Sequence, residues 1–133
     1  YWRLHTGKPL PAVPEGIELL GFVEDVRPLY WRGHVVLVPL VVSGGTNLKV
    51  LEALSMQRAV VSTTVGAAGL GLTSGENILL ADRAEAFAAA VLNLLADANG
   101  REQLAARGRA HVEAHYGWPA LGRKLVALWD RLE

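Results

Sequence analysis

The sequence predicts an α/β domain built on a parallel sheet, and three observations carry that prediction. Short apolar, β-branched runs alternate with segments of helical periodicity along the chain. The run His34-Val35-Val36-Leu37-Val38-Pro39-Leu40 is almost continuously apolar, as suits a strand covered on both faces. It leads into Ser43-Gly44-Gly45-Thr46-Asn47 and then into the amphipathic stretch Leu48-Lys49-Val50-Leu51-Glu52-Ala53. Strand, glycine turn and helix in that order form the layout of an anion site.

Taken in order, strand patterns fall near residues 2–6, 17–21, 34–39, 59–62 and 77–81. Between the first two, Pro9, Pro11 and Pro14 favour an extended connection over a crossover helix. Asp25 is placed to cap a short helix over residues 26–31, with Pro28 in the first turn, where proline is tolerated. The next helix is expected to start near Thr46 and to bury a stripe of Leu48, Val50, Leu51 and Leu54. Gly66-Ala67-Ala68-Gly69-Leu70-Gly71-Leu72 is flexible enough to bend over a ligand, and equally suits a plain surface connection.

Beyond Asp82 the pattern is helical. Phe87, Val91, Leu94 and Leu95 form one apolar stripe, and Leu104, Val112 and Tyr116 form another in a helix opened by Asn99-Gly100. Leu121, Leu125, Leu128, Trp129 and Leu132 recur at helical spacing in a third. Such stripes read as core, and Trp129 is expected to pack there; the other reading is a last helix packed on a partner domain.

At 133 residues the chain suits one domain and can bury roughly two-thirds of the surface its unfolded form exposes. Its 13 Lys and Arg balance 13 Asp and Glu, so no broad electrostatic reason favours nucleic acid or an anionic membrane surface as partner. Phosphate binding has to be local. The lack of cysteine excludes disulfides and thiolate metal sites and fits a cytoplasmic setting. No apolar run reaches the roughly eighteen residues of a transmembrane helix, and no signal peptide is recognisable. The opening Tyr1-Trp2-Arg3-Leu4-His5 has no initiator methionine and enters directly into a strand pattern, which reads as a fragment.

Glycines at 44 and 45 permit backbone geometries that a Cβ obstructs and let a ligand approach the main chain. A helix starting near Thr46 points its free N–H groups and the positive end of its dipole over the turn, where a phosphate is the usual guest. Glu52 lies at the border of the apolar stripe, next to Leu48. There it can accept two hydrogen bonds from a vicinal diol, or pair with Lys49 at i,i+3 for about a few tenths of a kcal/mol.

Four segments together resemble a known family: Gly21-Phe22-Val23-Glu24-Asp25-Val26, Val38-Pro39-Leu40, the run from Gly44-Gly45-Thr46-Asn47 through Lys49-Val50-Leu51-Glu52-Ala53, and Ala59-Val60-Val61-Ser62-Thr63. They look like the carboxyl-terminal domain of a retaining GT-B glycosyltransferase of the group 1 type. The nearest subgroup is glycosyltransferase family 4, which includes many sugar-transferring enzymes of cell-envelope polysaccharide synthesis. The resemblance runs from Leu4 to the final helix and rests on the ordered series of motifs.

The resemblance implies a Rossmann-like parallel sheet flanked by helices, with residues 1–133 forming a single, partial nucleotide-sugar-binding domain. Its first strand and helix are expected to be missing, together with an Arg and a Lys that relatives bring to the diphosphate from there. In the order 3-2-1-4-5-6 this leaves a gap between the segments at Leu4 and Val35, and an isolated domain of low stability. The amino-terminal, acceptor-binding domain is absent, so the fragment alone is expected to be inactive.

By the same resemblance, Glu52 holds the ribose hydroxyls of a nucleoside-diphosphate sugar. The turn at Gly44, Gly45, Thr46, Asn47, Leu48 and Lys49 faces the diphosphate and donor sugar, with the N–H groups of residues 45–48 as donors. Gly21, Phe22 and Val23 lie where the family holds the nucleobase. The residues themselves leave alternatives open: Lys49 neutralises phosphate or is solvated, Asn47 binds a sugar hydroxyl or, more often in such a turn, caps backbone, and Phe22 stacks on a base or, more often, fills the core. The family normally carries a second glutamate eight positions before Glu52, where this chain has Gly44. That departure bears on contacts with the donor sugar.

No Asp-x-Asp occurs, and Glu24-Asp25 reads as turn and cap, so a metal-independent reaction is expected. His111 and His115 share a helical face without the glutamate of a zinc-protease motif, and neither Ser43 nor Ser62 lies in a nucleophile elbow. The function expected is the donor-binding part of an enzyme that moves a sugar onto a hydroxyl of a glycan, lipid-linked intermediate or small acceptor. The competing expectation is a non-catalytic nucleotide-binding or interaction module of the same fold.

Overall fold

A computed structural model describes residues 12–132. The strand expected at residues 2–6 lies outside that range. Helix α1 spans Arg27–Arg32, with Pro28 in its first turn. The expected cap is corrected, because the N-cap is Val26, which makes no side-chain cap; Asp25 stands one residue ahead, where its Oδ1 accepts from the Arg27 amide at 3.0 Å and both carboxylate oxygens take the Arg27 guanidinium at 2.9 Å. The guanidinium bond, chiefly, holds the Asp25 carboxyl below the usual carboxylate range.

Strand β1 (Val35–Val38), helix α2 (Leu48–Ser55), strand β2 (Ala59–Ser62) and strand β3 (Leu79–Leu80) follow, then helices α3 (Ala84–Ala96), α4 (Ala98–Tyr116) and α5 (Trp118–Trp129). The sheet is parallel, in the order β1-β2-β3, with Val35 opposite Ala59 and Val61 opposite Leu79. Buried along its whole length, β2 is the central strand.

Residues 17–21 form no strand. Gly16 and Gly21 both take positive φ, at 84° and 68°, and no described strand lies beside the segment to complete a ladder. Unpaired, its apolar side chains Ile17, Leu19 and Leu20 stay about half exposed.

The chain packs in layers on the two faces of β2, because alternate residues of a strand point to opposite sides. Val60, with Val38, meets Val50, Ala53 and Leu54 of α2 and Val112 of α4. Ala59 and Val61 meet Leu94 of α3 and Leu104 and Ala105 of α4, with Phe87 and Val91 against them. Gly108 lets α4 approach closely, since a Cβ there would stand 2.6 Å from Leu54 Cδ2 and 2.8 Å from the Asn77 carbonyl oxygen. Helix α4 opens at Ala98, one residue before the expected Asn99-Gly100, and is capped by Asp97, which accepts from the Gly100 amide at 2.9 Å.

Two of the expected stripes are corrected. In α2, Leu48 is 62 % exposed while Ala53 is buried, because at 3.6 residues per turn Leu48 lies about 160° round the helix from Val50. In α5 the expected core face is bare, and Trp129 is 65 % exposed. Among the described residues α5 buries Ala120 alone and packs on α4, with nothing over its apolar stripe.

Candidate functional site

The carboxyl ends of the strands are latched together. Ser62 Oγ and the Thr63 amide both reach the Val38 carbonyl at 3.3 Å, Thr63 Oγ1 donates to the Leu40 carbonyl at 2.6 Å, and the Ala81 amide donates to the Ser62 carbonyl at 2.9 Å. Open α/β sheets bind ligands at this end. Over it, the turn from Val42 to Lys49 lines an open bowl of about 560 Å³.

Among the described residues the N–H groups of Gly45, Thr46 and Asn47 have no hydrogen-bond partner within the protein. The Leu48 amide differs from expectation, because it turns back onto the Thr46 carbonyl at 3.0 Å. A row of free amides ahead of α2 adds its partial positive charge to that of the helix end. Neither Gly44 nor Gly45 takes a positive φ, and a Cβ at either would meet nothing within 4 Å. Neither crowding within the protein nor backbone strain therefore calls for glycine at these two positions.

Asn47 is a strut. It is 7 % exposed, and its side chain makes no cap on α2. Its Oδ1 accepts from Ser43 Oγ at 3.1 Å, and its Nδ2 donates to the Val65 carbonyl at 3.4 Å, tying the glycine turn to the loop after β2. That corrects the expected cap and occupies both ends of the amide. The loop itself is anchored: Ala67 and Leu70 are buried, His111 Nε2 lies 2.9 Å from the Leu70 carbonyl, and Tyr116 reaches the Gly69 carbonyl at 3.4 Å. Gly66 is needed there, because a Cβ would collide with the Ser62 hydroxyl and crowd the Val38 carbonyl at 3.1 Å.

Glu52 stands exposed one turn along α2 from Leu48, about 6 Å further up the axis. It makes no ion pair with Lys49 among the described residues. Its Oε2 accepts instead from the Tyr30 hydroxyl of α1 at 3.2 Å, with the Lys49 carbonyl 3.5 Å from the same hydroxyl. Burial raises the Tyr30 phenol above its ordinary range, and the Glu52 charge and hydrogen bond add to the effect. Lys49 is exposed on the rim of the bowl.

Gly21, Phe22 and Val23 are not brought into the bowl's lining. Phe22 is 94 % exposed and so does not fill the core, the consequence of a segment that has no strand to join. A second cleft, of about 610 Å³, runs beside β1 and α3 between Leu37, Pro39, Phe87 and Val91. Its walls are mostly apolar, and the uncapped start of α3 at Arg83 and Ala84 lies along it beside Thr63 and Asp82. Among the described residues no three metal-ligating side chains gather, and no helix is long and apolar enough to cross a membrane.

A parallel sheet with an open amide turn at its carboxyl end is the architecture of the carboxyl-terminal half of a GT-B glycosyltransferase, and solved structures of that class match it. The carboxyl-terminal domain of a glycosyl transferase group 1 family protein from Francisella tularensis superposes with a TM-score of 0.68 at 25% identity, covering 74% of this chain and 53% of that one. Sucrose-phosphate synthase from Thermosynechococcus elongatus gives 0.68 at 27% identity, over 80% of this chain and 27% of its own.

Residues 4–97 match the family described as Glycosyl transferases group 1, and the chain belongs to that family. Among curated relatives, a trehalose synthase of Rubrobacter xylanophilus is 38% identical over 88 residues, which is 66% of this chain and 21% of the relative. An uncharacterised 44.6 kDa protein in the cps region of Klebsiella pneumoniae is 26% identical over 93 residues, 70% of this chain and 24% of its own. The chain thus spans less than a quarter of the length of these curated relatives.

Proposed function

We propose that this chain is the donor-binding part of a retaining glycosyltransferase, working in the cytoplasm and without a resident metal. It takes a nucleoside-diphosphate sugar and, with an amino-terminal domain that binds the acceptor, passes the sugar to a hydroxyl. The observation that carries the reading is the row of unpartnered amides at Gly45, Thr46 and Asn47 ahead of α2, at the carboxyl end of a parallel sheet. In that position they receive the diphosphate and stabilise it as charge develops on the departing group. Glu52, one helical turn on, takes the ribose hydroxyls, Lys49 faces the phosphates, and residues 21–23 approach the base. The names of two relatives, a trehalose synthase and a sucrose-phosphate synthase, support a sugar hydroxyl as acceptor. Membership of the family 4 subgroup and a part in polysaccharide synthesis belong to the same proposal and rest on the sequence motifs.

The test is a thermal-shift titration of the protein expressed from its full open reading frame with UDP, GDP, ADP and their sugar conjugates. One nucleotide is expected to stabilise it by about 2.7 kcal/mol at a hundred times its dissociation constant, rising with the logarithm of its concentration. Gly45→Val is expected to abolish that shift, and because a Cβ at Gly45 meets open space the loss reports on the ligand rather than on the fold. Saturable binding that Gly45→Val leaves untouched refutes the turn as the diphosphate site. Binding without sugar transfer to any acceptor supports a non-catalytic module instead.

A further inference from the structure

We infer that Tyr30 is a positioning residue for the Glu52 carboxylate, fixing one of its oxygens so that the other is left to a vicinal diol. The inference rests on the reading of Glu52 as the ribose-binding group.

The geometry is a bridge between two helices. Tyr30 belongs to α1, its ring is packed against the core cluster beneath α2, and its hydroxyl stands 3.2 Å from Glu52 Oε2. Among the described residues Glu52 Oε1 has no partner, and Lys49, the nearest cation along the helix, makes no ion pair with it. Tyr30 is thus the group that decides where this carboxylate sits. A phenol O–H donated to a carboxylate is a charge-assisted bond, stronger than a neutral one. The phenol is a donor at neutral pH as any tyrosine is, and burial and the neighbouring charge shift its ionisation further upward. An exposed glutamate without such a tether has to give up rotamer freedom when it meets a ligand, which weakens binding; one already held does not. At the base of the bridge, Asp25 accepts from the Arg27 amide and guanidinium beside the first turn of α1.

Calorimetric titration of the protein from its full open reading frame tests this, using the nucleoside diphosphate selected above together with its 2′-deoxy and 3′-deoxy forms. Tyr30→Phe keeps the packed ring and removes only the hydroxyl. It is expected to weaken binding of the ribonucleotide by about two- to tenfold, the ordering cost of one side chain that the tether otherwise removes. The deoxy forms, which keep only one of the two hydroxyls, are expected to be weakened less by Tyr30→Phe than the ribonucleotide is. Equal weakening of ribo and deoxy forms would mean that the hydroxyl only holds α1 against α2, and would overturn the inference. So would unchanged ribonucleotide binding in Tyr30→Phe when Glu52→Ala loses affinity, which leaves the ribose reading standing. If Glu52→Ala binds as tightly as wild type, the ribose reading fails and the inference falls with it.

Discussion

Asp82 takes two hydrogen bonds from a single residue: its carboxylate oxygens lie 2.7 Å from the Thr64 amide nitrogen and 2.7 Å from Thr64 Oγ1. The pair joins the loop after β2 to the chain leaving β3. The Thr64 amide, then its hydroxyl, holds the Asp82 carboxyl below its ordinary value of 3.8. A depressed carboxylate contributes stability that is present above its unfolded pKa and lost as pH falls through the lower folded value. Urea midpoints of wild type and Asp82→Ala are therefore expected to differ at neutral pH and to converge in acid, below about pH 4. A difference that persists undiminished in acid would contradict this.

Gly108 sits where α4 crosses α2. Gly108→Ala drives a methyl against Leu54 Cδ2 and a backbone carbonyl that cannot rotate away, that of Asn77. The expected cost is about 1–3 kcal/mol, read as a lowered midpoint of urea denaturation at unchanged slope.

Asn47→Ala removes the strut between the glycine turn and the loop after β2. The Val65 carbonyl and the Ser43 hydroxyl both lose a partner at a nearly buried site. A loss of about 1–3 kcal/mol in stability is expected. Nucleotide affinity should fall as well, because Gly45 and Thr46 are no longer held over the sheet. Thermal denaturation and calorimetry of the same variant separate the two effects.

Helix α2 ends with Gln57 in the left-handed region at φ 54°, the Gln57 amide donating to the Leu54 carbonyl and the Arg58 amide to the Ala53 carbonyl, each at 2.9 Å. This hydrogen-bond pattern is one that glycine normally completes. Gln57→Gly is expected to raise stability by about 0.5–1 kcal/mol, the relief of a side chain in a strained backbone outweighing the added freedom of the unfolded chain. Thermal denaturation is the check.

The parts of this fold that can be read from the sequence are those whose neighbours are implied by their own pattern. A continuous apolar run such as Ala59-Val60-Val61 has to be covered on both faces, and it is. The glycine turn announces itself because strand, glycines and helix are contiguous. Residues 17–21 and the stripe of α5 are as apolar, but apolarity does not say whether anything lies alongside; their exposure is a property of what surrounds them. Asn47 departs from the expected cap for a related reason, since its choice between capping and bridging depends on Val65, 18 positions away. The bond from Tyr30 to Glu52 spans 22 positions and two helices, and no local spacing encodes it.

Helix α4 belongs to both layers, its first half packed with α3 through Leu104 and Ala105 and its second with α2 through Val112. Neither layer can loosen without pulling on the other through one continuous rod. Cooperative units in proteins follow such shared elements. The two halves of this domain are therefore expected to unfold as one unit, so that a defect introduced on the α3 side of the sheet, far from the glycine turn, reaches that turn as a change in how often the whole domain opens.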